Sequence, residues 1–224
     1  MNLPLRRTKL NRLTPFSFSC SRCLRCCRHK RIQVNPYEIA RLAGNRGIST
    51  TDFIRRFTTD GGTVLKWGAD GVCSFLDSEG CSVHPDRPLV CRLYPLGWDI
   101  HTSGEESLSE VEPDPECKGA YGKDGYIMDF LEAQCTGPFI HAYKSYLGLF
   151  RRLHGILQQA VNDPKTDDKL AKVFQDGAAC TNSLTDMDAA VTAYCRKNKI
   201  PFPKGADERM SVHIRALEAW ANKT

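Results

Sequence analysis

Apolar and polar positions follow two rhythms along the chain. In the first part apolar residues come in short runs between turn formers. In the second they recur at helical spacing over longer stretches. Asn35-Pro36 ahead of residues 37–43 predicts an N-cap, a first-turn proline and a short amphipathic helix that Gly44 ends. Ser49 predicts the start of a second helix over 51–57, with Phe53, Ile54 and Phe57 as its apolar stripe. Gly61-Gly62 stops that pattern, and Thr63-Val64-Leu65 reads as a strand. Residues 72–76 and 82–83 are expected to be the arms of a small β-turn unit around 77–80, which draws Cys73 and Cys81 together.

Residues 126–133 and 138–161 are helical by periodicity, with Ile140, Tyr143, Leu147, Phe150, Leu153 and Leu157 as one face of the longer helix. After a polar, proline-containing break at 162–168 come helices over 185–197 and 207–221, the latter aligning Met210, Ile214, Leu217 and Trp220. These aromatic and methionine stripes read as core packing, not as a cofactor box. The expectation is an α+β fold, mostly α: an irregular, cysteine-rich metal-binding region over 1–125 packed on a helical region over 126–224.

Composition narrows the function. With 224 residues, 41 % of them hydrophobic and 25 % charged, the chain is long enough for a core that needs no metal. A net charge of +5, from 31 Lys+Arg against 26 Asp+Glu, suits a mixed, solvated surface; no nucleic-acid partner is expected. Arg6, Arg7, Lys9 and Arg12 precede no apolar run of ~7–15 residues, and no stretch approaches ~18 apolar residues. Neither a secretory signal nor a membrane span is expected, and a cytoplasmic, reducing location follows. In that setting eleven cysteines point to metal ligation, not disulfides.

Eight of them lie between Cys20 and Cys117; Cys135, Cys180 and Cys195 are scattered beyond. Cys20, Cys23 and Cys26 form C-x-x-C-x-x-C, a spacing that turns thiolates toward one centre and opens ferredoxin-type runs, with a fourth ligand from afar. Cys27 is expected to point away from Cys26, either reaching a second centre or replacing Cys26. Arg22, Arg25, Arg28, His29, Lys30 and Arg31 surround the run and favour thiolates. Cys73, Cys81, Cys91 and Cys117 form the second set. Near them, His84 reads as a metal ligand or a structural hydrogen-bonder, and Arg92 and Tyr94 as donors to thiolate or sulfide. Gly119, Gly122 and Gly125 permit close backbone approach. Eight thiolates complete two four-coordinate centres, or one centre with thiols to spare.

The stretch Cys20-Ser21-Arg22-Cys23-Leu24-Arg25-Cys26-Cys27, then Cys73-Ser74-Phe75-Leu76 with Cys81, resembles the YkgJ-type cysteine-cluster family of zinc- or iron-chelating proteins. The likeness continues through Arg87-Pro88-Leu89-Val90-Cys91-Arg92-Leu93-Tyr94-Pro95 to Cys117-Lys118-Gly119, over about residues 17–125. It implies Cys20, Cys23, Cys26, Cys27, Cys73, Cys81, Cys91 and Cys117 as metal ligands. The longer flagellin lysine N-methylases share the signature, which implies an iron–sulfur cluster used with S-adenosylmethionine, although no flagellin-binding region is found here. The leading expectation is therefore an iron–sulfur (4Fe–4S) protein, with methyl transfer or redox work as its activity and a protein as substrate or partner. The competing classes are a zinc-binding structural or interaction module, which needs no catalysis, and a chelating or metal-delivery protein. Radical S-adenosylmethionine, P-loop and H-E-x-x-H signatures are not found.

Overall fold

The computed structural model describes residues 4–101, 103–161 and 184–221, without the side chains of 156–161. The predicted break at 162–168, the Leu157 side chain and Cys180 lie outside them. The described residues form seven α-helices and four small antiparallel sheets, a mixed α+β fold in which helix predominates. No described helix is long and apolar enough to cross a membrane. Contacts divide the chain into two compact units, one of residues 1–32 and 67–140, the other of 33–66 and 141–224.

In the second unit, α1 (Pro36–Asn45) starts with the expected cap: Asn35 accepts from the Glu38 N–H while Glu38 accepts from the Asn35 N–H. The helix runs through Gly44, contrary to the sequence expectation. The left-handed residue that ends it is Gly47 (φ 65°), with Ile48 N–H reaching Ala43 C=O and Gly47 N–H reaching Gly44 C=O. Ser49 caps α2 (Thr50–Phe57), whose Phe53 is fully buried. Strands β3 (Thr58–Thr59) and β4 (Val64–Leu65) pair around the Gly61-Gly62 turn.

Helix α5 (Gly137–Val161) buries Phe139, Ile140, Ala142, Tyr146, Leu149 and Leu153, whereas Tyr143 and Phe150 are exposed. The buried stripe is thus rotated from the expected one. A polar contact helps set that register: Tyr146 Oη meets Nδ1 of fully buried His213, 2.8 Å away on α7 (Ala206–Ala221). On α7, Met210 and Leu217 are buried as expected, but His213 joins them while Ile214 and Trp220 are only half-buried. Helix α6 (Met187–Asn198) interlocks with the start of α2. Asp186 accepts from the Thr50 and Thr51 hydroxyls, each at 2.6 Å, and Asp188 accepts from the Thr50 N–H at 2.9 Å.

The first unit contains a three-stranded sheet in the order β1 (Leu5–Leu10), β8 (Glu106–Val111), β7 (Leu96–Ile100). The carboxylate of buried Glu110 takes Arg7 at 2.5 Å and Arg6 at 3.2 Å. Strand β2 (Pro15–Ser19) pairs with β9 (Ala120–Tyr126), and β5 (Leu76–Asp77) with β6 (Gly80–Cys81). Two short helices, α3 (Leu89–Leu93) and α4 (Ile127–Ala133), complete it.

Candidate metal centre

All eight candidate cysteines fall in the first unit, and each is a free thiol. Backbone pairing gathers them into two neighbourhoods. The pairing of β2 with β9 ends at Ser19 opposite Ala120, so Cys20 leaves one strand close to where Cys117 enters the other. The Cys23 and Cys117 side chains lie close enough to influence each other's ionisation. Burial opposes ionisation of Cys23, but N–H donors of Arg25 and Lys118, with Cys117 and Ser21, outweigh it and hold its thiol below the usual value. Phe18, opposite Tyr121 in the ladder, packs against both Tyr121 and Tyr94, with ring centroids 4.8 and 6.1 Å away. A Cβ on Gly119 would collide with the Phe18 ring and sit 3.4 Å from Cys117 Sγ, so this close approach needs glycine. Burial raises the Tyr94 hydroxyl far above its usual value, with Tyr121 and Cys117 next to it adding to the rise.

The second neighbourhood centres on Cys27. His29 N–H donates to Gly71 C=O at 2.8 Å, Arg28 bridges Val72, and Cys73 N–H donates to Cys27 C=O at 3.1 Å. This short ladder sets Cys26 and Cys27 against Cys73. The β5–β6 hairpin then places Cys81 opposite Leu76, which brings Cys81 to Cys73 as the sequence predicts. Cys91, on α3, faces Cys27 closely enough for its charge to raise the Cys27 thiol. Five thiols from four separate segments, Cys26, Cys27, Cys73, Cys81 and Cys91, therefore lie near enough to feel one another's charge.

Cys26 and Cys27, expected to point apart, keep their thiols close enough to shift each other's ionisation. Residues Arg25–Cys27 form a 3₁₀ turn, where successive side chains lie about 120° apart, not the 180° of a strand. Their mutual interaction splits the two. It lowers Cys26 to about 7, against partial burial and with help from Lys30 and Arg87, and it raises Cys27, which burial and the neighbouring sulfurs push up further. A lowered thiol is ionised above its new value. In metal-stripped protein, iodoacetamide should therefore label Cys26 at a rate that climbs through about pH 7, while Cys27 stays slow. Peptide mass spectrometry showing Cys26 rising only near its ordinary 9.0 would contradict this.

Three cysteines share one local device: the backbone N–H two residues on donates to the sulfur. Arg22 N–H reaches Cys20 Sγ at 3.4 Å, and the N–H groups of Arg25 and Phe75 serve Cys23 and Cys73. The turns are bought with left-handed backbone at Arg22, Leu24 and His29 (φ 54°, 64° and 53°), about 1–3 kcal/mol each for non-glycine residues.

Arg92, expected as a donor to sulfur, is engaged elsewhere, and His84 takes the second of its two expected roles. Arg92 is 4 % exposed and binds backbone carbonyls. It donates to the carbonyls of Arg87 (3.0 Å), Gln134 (2.9 Å) and Pro85, and its guanidinium lies 4.1 Å from the Phe139 ring centroid. His84 is exposed, with Nδ1 3.3 Å from Arg87 Nη1; partial burial and the cations Arg87, Arg22 and Arg92 lower its proton affinity. It acts here as a hydrogen-bonder. Trp67, which the cysteine pattern gave no reason to notice, pairs across a bridge with Cys73, and its indole nitrogen is buried without a hydrogen bond.

Among the described residues, no three Cys, His, Asp or Glu side chains stand positioned to hold a metal ion as they are. The donor chemistry nevertheless fits a thiolate-held metal: sulfurs grouped by backbone pairing, N–H donors already aimed at three of them, and cations beside Cys26.

Residues 19–118 match a family described as "CxxCxxCC: Putative zinc- or iron-chelating domain". The chain is also 27 % identical over 123 residues to an uncharacterized protein of Methanocaldococcus jannaschii, covering 52 % of this chain and 65 % of that protein's length. The match therefore spans less than two thirds of that relative. No solved structure matches.

Proposed function

From the match of residues 19–118 to the zinc- or iron-chelating CxxCxxCC family we propose that this metal-binding chain carries iron–sulfur centres held by its eight clustered cysteines. The observation that carries the reading is that Cys26, Cys73, Cys81 and Cys91 lie within electrostatic reach of one another around Cys27, with Cys23 and Cys117 forming a second close pair. The ligands divide as Cys20, Cys23, Cys26 and Cys117 for one centre and Cys27, Cys73, Cys81 and Cys91 for the other. The adjacent pair Cys26–Cys27 then forms the seam between the two. A run of three cysteines at two-residue spacing with a remote fourth is the ligand pattern of a ferredoxin cluster. Such a cluster supplies one-electron redox chemistry and Lewis acidity when bound. The protein's part is to orient the sulfurs through the N–H groups of Arg22, Arg25 and Phe75, and to offset their charge with Lys30 and Arg87.

A zinc-binding module is the second reading, because N–H donors two residues beyond Cys20, Cys23 and Cys73 serve zinc thiolates equally well. Metal analysis separates the two. Protein purified without oxygen should be brown, with iron and acid-labile sulfide in similar amounts. Colourless protein with stoichiometric zinc would transfer the assignment to the structural module.

A further inference from the structure

Among the buried donors left without a hydrogen bond of good geometry, Trp67 Nε1 and the Tyr121 hydroxyl are the two on neutral side chains that stand next to a candidate ligand, opposite Cys73 and near Cys117. An indole N–H can only donate, so it stays unsatisfied until an acceptor is placed against it. Trp67 is directly opposite Cys73 in an antiparallel bridge, and directly opposed residues put their side chains on the same face. Gly68 N–H to Val72 C=O at 2.8 Å and His29 N–H to Gly71 C=O at 2.8 Å fix the backbone on either side. Tyr121 lies opposite Phe18 on β9, with the Tyr94 hydroxyl and Cys117 as polar neighbours and Arg6 5.6 Å above its ring.

A protonated thiol is a weak acceptor, whereas metal-bound thiolate and inorganic sulfide carry negative charge and accept well. We propose that Trp67 Nε1–H and the Tyr121 hydroxyl donate to sulfur in the metal-bound state. Trp67 serves the Cys27/Cys73/Cys81/Cys91 centre and Tyr121 the centre that includes Cys117. Both are positioning residues that raise the reduction potential of their centre. The inference rests on the iron–sulfur reading above. Its logic is electrostatic: reduction adds negative charge to the cluster, and a donor aimed at sulfur stabilises the reduced form more than the oxidised one.

The test compares iron- and sulfide-loaded wild type with Trp67→Phe, Tyr121→Phe and the control Tyr126→Phe, which alters an exposed ring on the same strand as Tyr121. Trp67→Phe and Tyr121→Phe should keep full iron and sulfide content yet shift the midpoint potential of one centre to more negative values. Each should also release iron to a chelator several-fold faster, and Tyr126→Phe should do neither. Should Trp67→Phe fail to fold, Tyr121→Phe carries the test alone. Loaded variants with wild-type potentials and release rates would overturn this inference and leave the iron–sulfur reading standing. Wild type without iron and sulfide would overturn that reading first, and this inference with it.

Discussion

Cys23→Ala and Cys91→Ala should each lose roughly half of the bound metal, and the double variant nearly all of it, because each removes one ligand from a different four-thiolate centre. Cys117→Ala should behave like Cys23→Ala, since the two neighbouring thiols are assigned to the same centre. Cys195→Ala should keep the full content. Its thiol is buried in the helical unit and donates to the Pro201 carbonyl at 3.6 Å, as a small apolar residue with a weak donor does. Cys135→Ala should keep it too, because Cys135 is exposed and outside both neighbourhoods. Measured iron or zinc per chain decides the matter. Unchanged content in Cys23→Ala, Cys91→Ala and Cys117→Ala would remove the ligand assignment. Comparing Cys26→Ala with Cys27→Ala then tests the seam: under the proposed division they deplete different centres and are additive when combined.

Local signals in the sequence proved readable where one residue's chemistry decides the outcome. Asn35 and Glu38 close a capping box, Ser49 caps α2, and the turn at 77–80 forms the hairpin that carries Cys81 to Cys73. Signals failed where a partner far along the chain decides. The buried face of α5 depends on Tyr146 meeting His213, 67 residues away, and apolar periodicity is blind to a tyrosine–histidine pair. The relation of Cys26 to Cys27 depends on whether the backbone there is extended or 3₁₀, and residue types alone do not distinguish these. Trp67 and Tyr121 escaped notice because nothing local marks an indole or phenol as unsatisfied; only burial does. The methyl-transfer expectation rests on the resemblance to flagellin lysine N-methylases, and the S-adenosylmethionine expectation on that resemblance and the glycines after Cys117.

Arg92 carries the second large effect, and it lies in structure, not in ligation. The arginine sits in the segment that carries the family resemblance, one residue after Cys91, which made it look like a donor to sulfur. Its guanidinium instead ties three carbonyls together, those of Pro85, Arg87 and Gln134, beneath the Phe139 ring. Lysine cannot reproduce a planar fork that serves three acceptors and stacks on an aromatic face. Arg92→Lys should therefore cost about 3–5 kcal/mol, from two or three lost charge-assisted bonds and carbonyls left unpaired in the interior. Urea unfolding at fixed metal concentration should show that loss as a lower midpoint with little change in slope. Metal content should fall only as far as the folded fraction falls, and the potential of the centre that remains should match wild type. Wild-type stability combined with a shifted potential would instead return Arg92 to the role of a sulfur donor.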